Sequence, residues 1–574
     1  MRYLNNLIFL LWIFISILAG QQKHYKIKVE GKVPKADLVE STKTFYIITA
    51  EDIKKLPFNN LSELLASIPF ITTLRRSPIS YDIGIRGSSP KRVLVLLNGI
   101  RINDPQTEHF NFVLPISLND VDRIEIIKGG TSTFYGSSAF AGVINIVTKT
   151  KGLNSLNMFL GEKGTISAHL NKTFKKFNFS LSSTKSDGYY EGQEFDITNF
   201  NAKFHKGRIS FFAGGSWRNL GEKGFYAPYP SIENIKNFIL STETRNEEYE
   251  VSFLARMLTD HFILDRNNPS WYENKHNNYL YSLKAAKNIF LNQSWDIKAG
   301  TEINFESIES KRLGNHERAS FAFSLITRKI GEKSIFESGI RYENYSNTGS
   351  FTNYYFGYEL IILPKLTVSF SFGNSIRLPN FTELCYESPA NIGNPELSPE
   401  ESINFDVNLS YNSSWFSFYS SLYLRHEKNI IDWVRSDPYS AWKATNLPEF
   451  NIYGVEAQMT VKNETLFLGL GMMANLSNTT IKQQTKYAFA FEKEKFSVFF
   501  SYHFKKFSFG SSIYYKKMYE GDSGIFIDGK ISFKIAKKVS LFVRGNNLLN
   551  TVIEEIPNIK IPGRWIFAGI NLNF

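Results

Sequence analysis

From about residue 152 to the end, the chain is written with a period of two. Phe496, Val498, Phe500, Tyr502 and Phe504 alternate with Ser497, Ser501 and His503. Lys505-Lys506 then turns the chain, and Phe507, Phe509 and Ile513 alternate with Ser508, Gly510 and Ser512. The same Phe-Lys-Lys-Phe turn stands at Phe174–Phe177. Such alternation places one apolar face and one polar face on every strand, and tight turns make successive strands antiparallel neighbours. A sheet this long has edges that must be paired or covered, and closing it on itself removes them. Allowing about 19 residues for a strand and its share of connections, 152–574 accommodates about 22 strands, an even number as bacterial single-chain barrels require.

The N-terminus gives the environment. Arg2 precedes an apolar run from Leu7 to Leu18, broken only by Ser16, and Ala19 and Gly20 follow. This is too short to span a bilayer and reads as a secretory signal over 1–20. Gln21, not cysteine, follows it, so a lipid-anchored start is not expected. No later apolar run reaches spanning length; Leu466–Ala474 is among the longest. Insertion in lipid then has to be by closed β-structure, which satisfies every backbone group. The aromatic content of 15%, with 50 Phe and 29 Tyr, suits lipid-facing strands and interfacial girdles. A soluble propeller would need a blade-length repeat, and none is visible.

The formal charge of +12 admits nucleic acid, an anionic membrane surface or an acidic ligand as partner. The lysines lie scattered or in pairs at apparent turns. They read as rim charges near lipid phosphates, with an anion-attracting mouth as the second reading and no nucleic-acid partner. A single cysteine, Cys385, excludes a disulfide framework and reads as a small apolar residue.

The first part of the chain is different. Residues 21–43 are polar and Lys-rich and read as a mobile segment. Residues 44–150 read as one small α/β domain. Ile47-Ile48 is a short strand, and Thr49-Ala-Glu-Asp52 opens a helix with a capping-box pattern. Asn60 opens a second helix, with Leu61, Leu64, Leu65 and Ile68 on one face and an end near Pro69. Ile83, Ile85, Val93–Leu97, Ile124, Ile126 and Val143–Val147 read as strands, and Asn98-Gly99 as a hairpin turn. The stretch Val121–Lys149 sets Arg123, Glu125 and Lys128 among isoleucines within a Gly-rich sequence. A compact domain ahead of a wide barrel is the shape of a plug, since barrels of about 22 strands are plugged.

Several motifs in order then resemble the TonB-dependent outer-membrane receptors, nearest the cobalamin-transporter-like group. They are Ile85-Arg86-Gly87, Val93–Asp104 and Val121–Lys149 in the plug. In the barrel they are Ile376-Arg377-Leu378-Pro379, Asn394-Pro395-Glu396-Leu397-Ser398-Pro399-Glu400, Ile430–Trp433 with Asn446, Tyr453-Gly454-Val455-Glu456, Asn547-Leu548 and Pro562-Gly563-Arg564. Lys128-Gly129-Gly130 stands where the family usually has Arg-Gly-Pro. The last strand, with Ile566, Ala568, Ile570, Leu572 and Phe574 on one face, resembles the signal read by the outer-membrane insertion machinery.

The resemblance implies import from outside an outer membrane, with ligand bound above the plug. A periplasmic TonB complex pulls an N-terminal segment, and an extended strand added to the partner's sheet edge gives the grip. The candidate TonB box is Tyr25, Lys26, Ile27, Lys28, Val29, Glu30 and Gly31, although the usual box has a more apolar core. For Arg86, Arg123 and Glu125, ligand contact and pairing inside the plug or with the lumen wall are both open; the cost of unpaired buried charge favours pairing. Gly87, Gly129, Gly136 and Gly142 meet backbone needs.

Ligand candidates are Gln106, Thr107, His109 and Asn111 in one plug loop, and Arg75, Arg76 and Ser77 in another. The loop wording, with Gly224–Pro230, points to cobalamin first and ferric siderophores second. Haem receptors carry a histidine between the Arg-Pro and Asn-Pro motifs, and Asn380–Gly393 has none. No cofactor is required. Calcium is an option in the outer loops, where Asp187, Glu191, Glu194 and Asp196 cluster without a defined loop pattern. No nucleophile elbow, P-loop, HExxH or dinucleotide fingerprint is present, so an enzyme is not expected. A passive porin or an adhesin is the competing class.

Overall fold

A computed structural model describes residues 42–574, apart from 44, 78, 153, 226–227, 480–483 and 558. The signal segment and the candidate TonB box at 25–31 lie outside the described residues.

Twenty-two antiparallel strands close into one barrel. Closure joins Trp565–Asn573 to Ser155–Gly161, in register from Phe567↔Gly161 to Asn573↔Ser155. Alternation sets the two faces as expected. Phe496, Phe500, Tyr502 and Phe504 are 40–50% exposed on the outer wall, while Lys495, Ser497 and Ser501 between them are buried inside. One rim carries short turns such as Lys175-Lys176, Lys505-Lys506 and Lys537-Lys538. The opposite rim carries the longer connections, among them 378–399, 429–449 and 547–564.

The lumen holds the plug. Strand β1 (Phe45–Thr49) is followed by helices α1 (Ala50–Lys55) and α2 (Leu61–Ser67). The hairpin of β2 (Ile71–Arg75) and β3 (Tyr81–Ile85) comes next, then β4 (Val93–Leu97), β5 (Ile100–Arg101), β6 (Val121–Lys128), the short helix α3 (Ser132–Tyr135) and β7 (Gly142–Thr148). The sheet order is β1-β6-β7-β4-β5. Its central strands are covered on both faces, which is why they read as near-continuous apolar runs. The capping box at α1 is present: Thr49 N donates to Asp52 and Asp52 N donates to Thr49 Oγ1, 3.0 and 3.3 Å. Asn60 caps α2 through Glu63 N at 2.8 Å.

One apolar core joins plug and wall. Leu64, Leu65, Phe70, Ile85, Ile124 and Ile146 pack in the same cluster as Phe212, Leu254, Leu280 and Phe499 of the barrel. Gly136 shows why a glycine stands there. Its φ is +80°, and a Cβ would lie 2.6 Å from Glu343 Oε1, so any side chain would meet both backbone strain and the wall. Towards the short-turn rim, Thr42 N donates to Glu337 at 3.1 Å.

Candidate functional site

Two tiers of polar contacts hold the plug: a buried ionic tier at its waist and a roof beneath the longer loops.

At the waist, Arg86 takes φ +51° and Gly87 φ +69°. This left-handed step throws the Arg86 side chain out of the plug and into the wall. Its Nη1 lies 2.5 Å from Asp406, its Nη2 lies 2.9 Å from Glu456, and its guanidinium stacks 4.2 Å over Tyr423. Burial opposes the charge on Arg86, but Glu456 and Asp406 outweigh it and hold the group ionised. Lys128 shares Glu456; burial pulls Lys128 down to about 8, with Arg86 nearby adding to the effect. Arg92 bridges Glu400 and Glu427, each at 2.9 Å. Arg123 pairs within the plug, with Glu125 at 2.8 Å, and Asn145 Nδ2 donates to the second oxygen of Glu125 at 2.9 Å. Buried pairs of this kind are costly to break from one side, because the remaining charge is stranded.

The roof is the loop 103–111. Asp104 is its hub: Oδ1 accepts from Gln106 N at 2.9 Å and Thr107 N at 3.3 Å, and Asp104 N donates to Asn111 Oδ1 at 2.9 Å. Burial pushes the Asp104 carboxyl up to about 6, against the pull of Arg256 and the two backbone N–H groups. Gln106 accepts from Asn278 Nδ2 at 2.6 Å and donates to Asp260 at 3.4 Å. The Thr107 hydroxyl donates to Glu108 at 3.4 Å.

The β2–β3 hairpin meets this loop at Asp82. His109 Nδ1 lies 2.9 Å from the Asp82 carboxylate and Arg76 Nε lies 3.2 Å from it. Burial raises Asp82, but His109 and Arg76 overrule it and hold the carboxyl down at about 2. Ser77 Oγ accepts from the amides of Ile79 and Ser80, which shapes the hairpin turn. Arg75 turns the other way. Its backbone N and its Nε both donate to Glu555 at 2.6 Å, in the connection 547–564, and Lys516 shares that carboxylate.

A lid lies over the roof. The Arg377-Leu-Pro segment leads into a short helix, Phe381–Cys385, capped by Asn380 and Glu383. Phe381 N donates to Pro105 O at 3.0 Å and Thr382 N to Gln106 O at 3.2 Å. Lys91 of the plug joins Glu383 at 3.1 Å and Glu108 at 3.7 Å. The space left between loop 103–111 and Arg377–Asn380 is about 40 Å³, room for little more than a water. Cys385 is half-buried beside the cluster of Ile308, Leu313 and Phe381.

Of the residues singled out in the sequence, the structure gathers Arg76, His109, Gln106, Thr107 and Asn111 in the roof. Arg75 is tied to the wall and Ser77 to its own turn. Asp82, Asp104 and Glu383 organise the roof and were not singled out. Asp104 closes the Val93–Asp104 motif, and Glu383 falls in the interval searched only for histidine. The four acids proposed for calcium do not converge. Glu191 pairs with Lys223 at 3.1 Å and Glu194 with Arg266 at 2.5 Å, and among the described residues no three His, Cys, Asp or Glu side chains are placed to hold a metal. These residues do not fit a calcium ion as arranged.

A plug tied by ion pairs to the wall of a closed barrel, with a polar roof beneath long loops, defines a plugged β-barrel. Residues 37–143 match the TonB-dependent Receptor Plug Domain, and residues 144–548 match the family described as TonB dependent receptor-like, beta-barrel. The chain belongs to the TonB-dependent receptor family, whose members are outer-membrane receptors and transporters. It is 24% identical over 571 residues to the Vitamin B12 transporter BtuB of Vibrio cholerae, covering 92% of each chain. It is 23% identical over 490 residues to that of Vibrio vulnificus, covering 77% of each. Among solved structures, the copper transporter OprC superposes with a TM-score of 0.76 at 13% identity, covering 94% of this chain and 99% of that one. The siderophore receptor PirA from Pseudomonas aeruginosa gives 0.71 at 17%, covering 92% and 99%. At these identities the structural likeness speaks for the fold alone.

Proposed function

We propose that the protein imports a corrinoid of the cobalamin type across the outer membrane, using work delivered by a TonB complex to its N-terminal segment. The observation that carries energised import is the seal. The lid is hydrogen-bonded to the roof, and the plug's arginines are bound to the wall by buried pairs. A passive porin has no use for such a plug, and a large solute cannot cross without its rearrangement. The choice of ligand is supported by relatives that are vitamin B12 transporters; the roof residues Gln106, Thr107, His109 and Asn111, now bonded within the protein, would have to exchange those partners for a polyamide ligand once the lid lifts. Ferric siderophores are the second reading, since solved relatives include siderophore receptors. No calcium step is invoked.

The test is uptake of labelled cyanocobalamin by cells carrying this chain as their only cobalamin receptor. Uptake is expected, and a protonophore should abolish it while surface binding persists. Uptake that survives the protonophore would point to a porin. Absence of cyanocobalamin binding, with ferric siderophore bound instead, would transfer the function to iron.

A further inference from the structure

The net positive charge of this chain is not spread around the short-turn rim. Strand order runs from 492–504 through 507–518, 523–536, 539–546 and 565–573, across the closing seam to 155–161, 165–174 and 177–186. Along that arc the turns are Lys505-Lys506, Lys537-Lys538 and Lys175-Lys176, all exposed. On the far side of the rim the turns are Gly207-Arg208, Asn246-Glu247-Glu248, 291–294, Gly331-Glu332-Lys333, Pro364-Lys365, Ser413-Ser414-Trp415 and Asn463-Glu464-Thr465, in which Arg208, Lys333 and Lys365 are offset by Glu247, Glu248, Glu332 and Glu464. The rim therefore has a basic arc around the seam and a near-neutral remainder.

Turn geometry does not call for lysine. Lys175 and Lys505 sit at φ +54° and +52°, a conformation that glycine or asparagine adopts at lower cost. Two of these lysines rest on outward-facing aromatic rings. Lys175 Nζ lies 5.6 Å over the ring of Phe174 and Lys505 Nζ 5.2 Å over Phe504. At the seam, Lys172 Nζ lies 4.9 Å over Phe574. Phe174, Phe504 and Phe574 are 50–60% exposed on the outer wall. The ammonium groups thus stand at the edge of the apolar belt, on the hydrocarbon side of the barrel and not across its lumen. Basic side chains anchored on interfacial aromatics reach the phosphate level of a leaflet.

We propose that this arc is a docking surface for anionic glycerophospholipid in the leaflet at the short-turn rim, and that it collects such lipid around the seam. An acidic protein would meet lysines facing the mouth of the lumen, whereas Lys175 and Lys505 flank the outer wall. Each basic group near an anionic surface contributes favourably, so six clustered lysines give a clear preference.

The experiment is native mass spectrometry of the full chain, folded in mixed phosphatidylglycerol and phosphatidylcholine and then extracted. Wild type is expected to retain phosphatidylglycerol over phosphatidylcholine by about tenfold. The variant K175Q/K176Q/K505Q/K506Q/K537Q/K538Q should fall to near parity, and K333Q/K365Q on the far side should keep the preference. Should the sixfold variant not fold, K505Q/K506Q alone must lower the ratio by about twofold or more. Equal retention of both lipids by wild type overturns the proposal, as does a preference that survives the lysine changes or is lost equally in K333Q/K365Q. Salt-sensitive binding of soluble polyglutamate by wild type, without any lipid preference, would assign the arc to an acidic protein instead.

Discussion

His109 and Asp82 lie 2.9 Å apart and join two plug segments that are separate in sequence, the roof loop and the β2–β3 hairpin. Arg76 holds the same carboxylate from the hairpin side at 3.2 Å. With its carboxyl held at about 2 against an ordinary 3.8, Asp82 contributes stability that is complete above 3.8 and is lost as pH falls through about 2. Asp82→Asn should lower the melting temperature of the purified protein near neutrality. The difference from wild type should shrink below pH 3.8. A difference that stays constant from neutrality down to pH about 2 would remove the ion pair as its cause.

At the waist, loss of Arg86 removes one cation from two buried carboxylates. Arg86→Ala leaves Asp406 and Glu456 buried with Lys128 and Lys43 as their remaining cations. One-sided loss of a buried pair costs about 3–5 kcal/mol. Denaturant unfolding followed by hydrogen exchange should show the plug strands opening at lower denaturant while barrel strands keep their protection. Arg86→Lys should recover only part, since a point charge cannot reproduce the fork to two carboxylates. Parallel loss of protection in plug and barrel would show that the pair serves the whole fold.

These two sites differ in how much of them is legible in the chain. Barrel, plug and approximate strand number follow from period-two alternation, because burial of one face leaves a long antiparallel sheet little choice but closure. Arg86 could be flagged as a charge that needs a partner, but not matched to Glu456, which stands 370 residues away. That pairing depends on how the barrel wraps around the plug. Asp82 was hidden for another reason: between Tyr81 and Ile83 it reads as the polar half of an ordinary strand alternation. The roof loop has no periodicity, so its candidate residues came from residue type alone. Residue type does not distinguish Asn111, which braces Asp104, from Gln106, which faces the wall.

The lid meets the roof through backbone hydrogen bonds, and this makes its movement testable. Thr382 N and Gln106 O are 3.2 Å apart, so the two backbones adjoin and the pair is a candidate for an engineered disulfide. In a Cys385→Ser background, Gln106→Cys with Thr382→Cys should cross-link under oxidation. Labelled cyanocobalamin uptake should fall to background when oxidised and return on reduction. Unchanged uptake with the cross-link formed would show that the lid stays docked during transport.

The N-terminal segment carries the energy input in this reading. A partner that adds a strand to its own sheet needs an extended, accessible stretch ahead of the plug, and Tyr25–Gly31 alternates in just that region. Deleting residues 25–31 should abolish uptake and leave ligand binding to whole cells unchanged, because the roof and waist contacts among the described residues lie beyond Thr42. Moving the same seven residues to another position in the 21–41 stretch should restore uptake, since a grip on extended backbone depends on reach more than on exact place. Full uptake by the deletion would shift the gripping point towards the plug itself. Loss of binding together with uptake would instead mark the segment as part of the folded receptor.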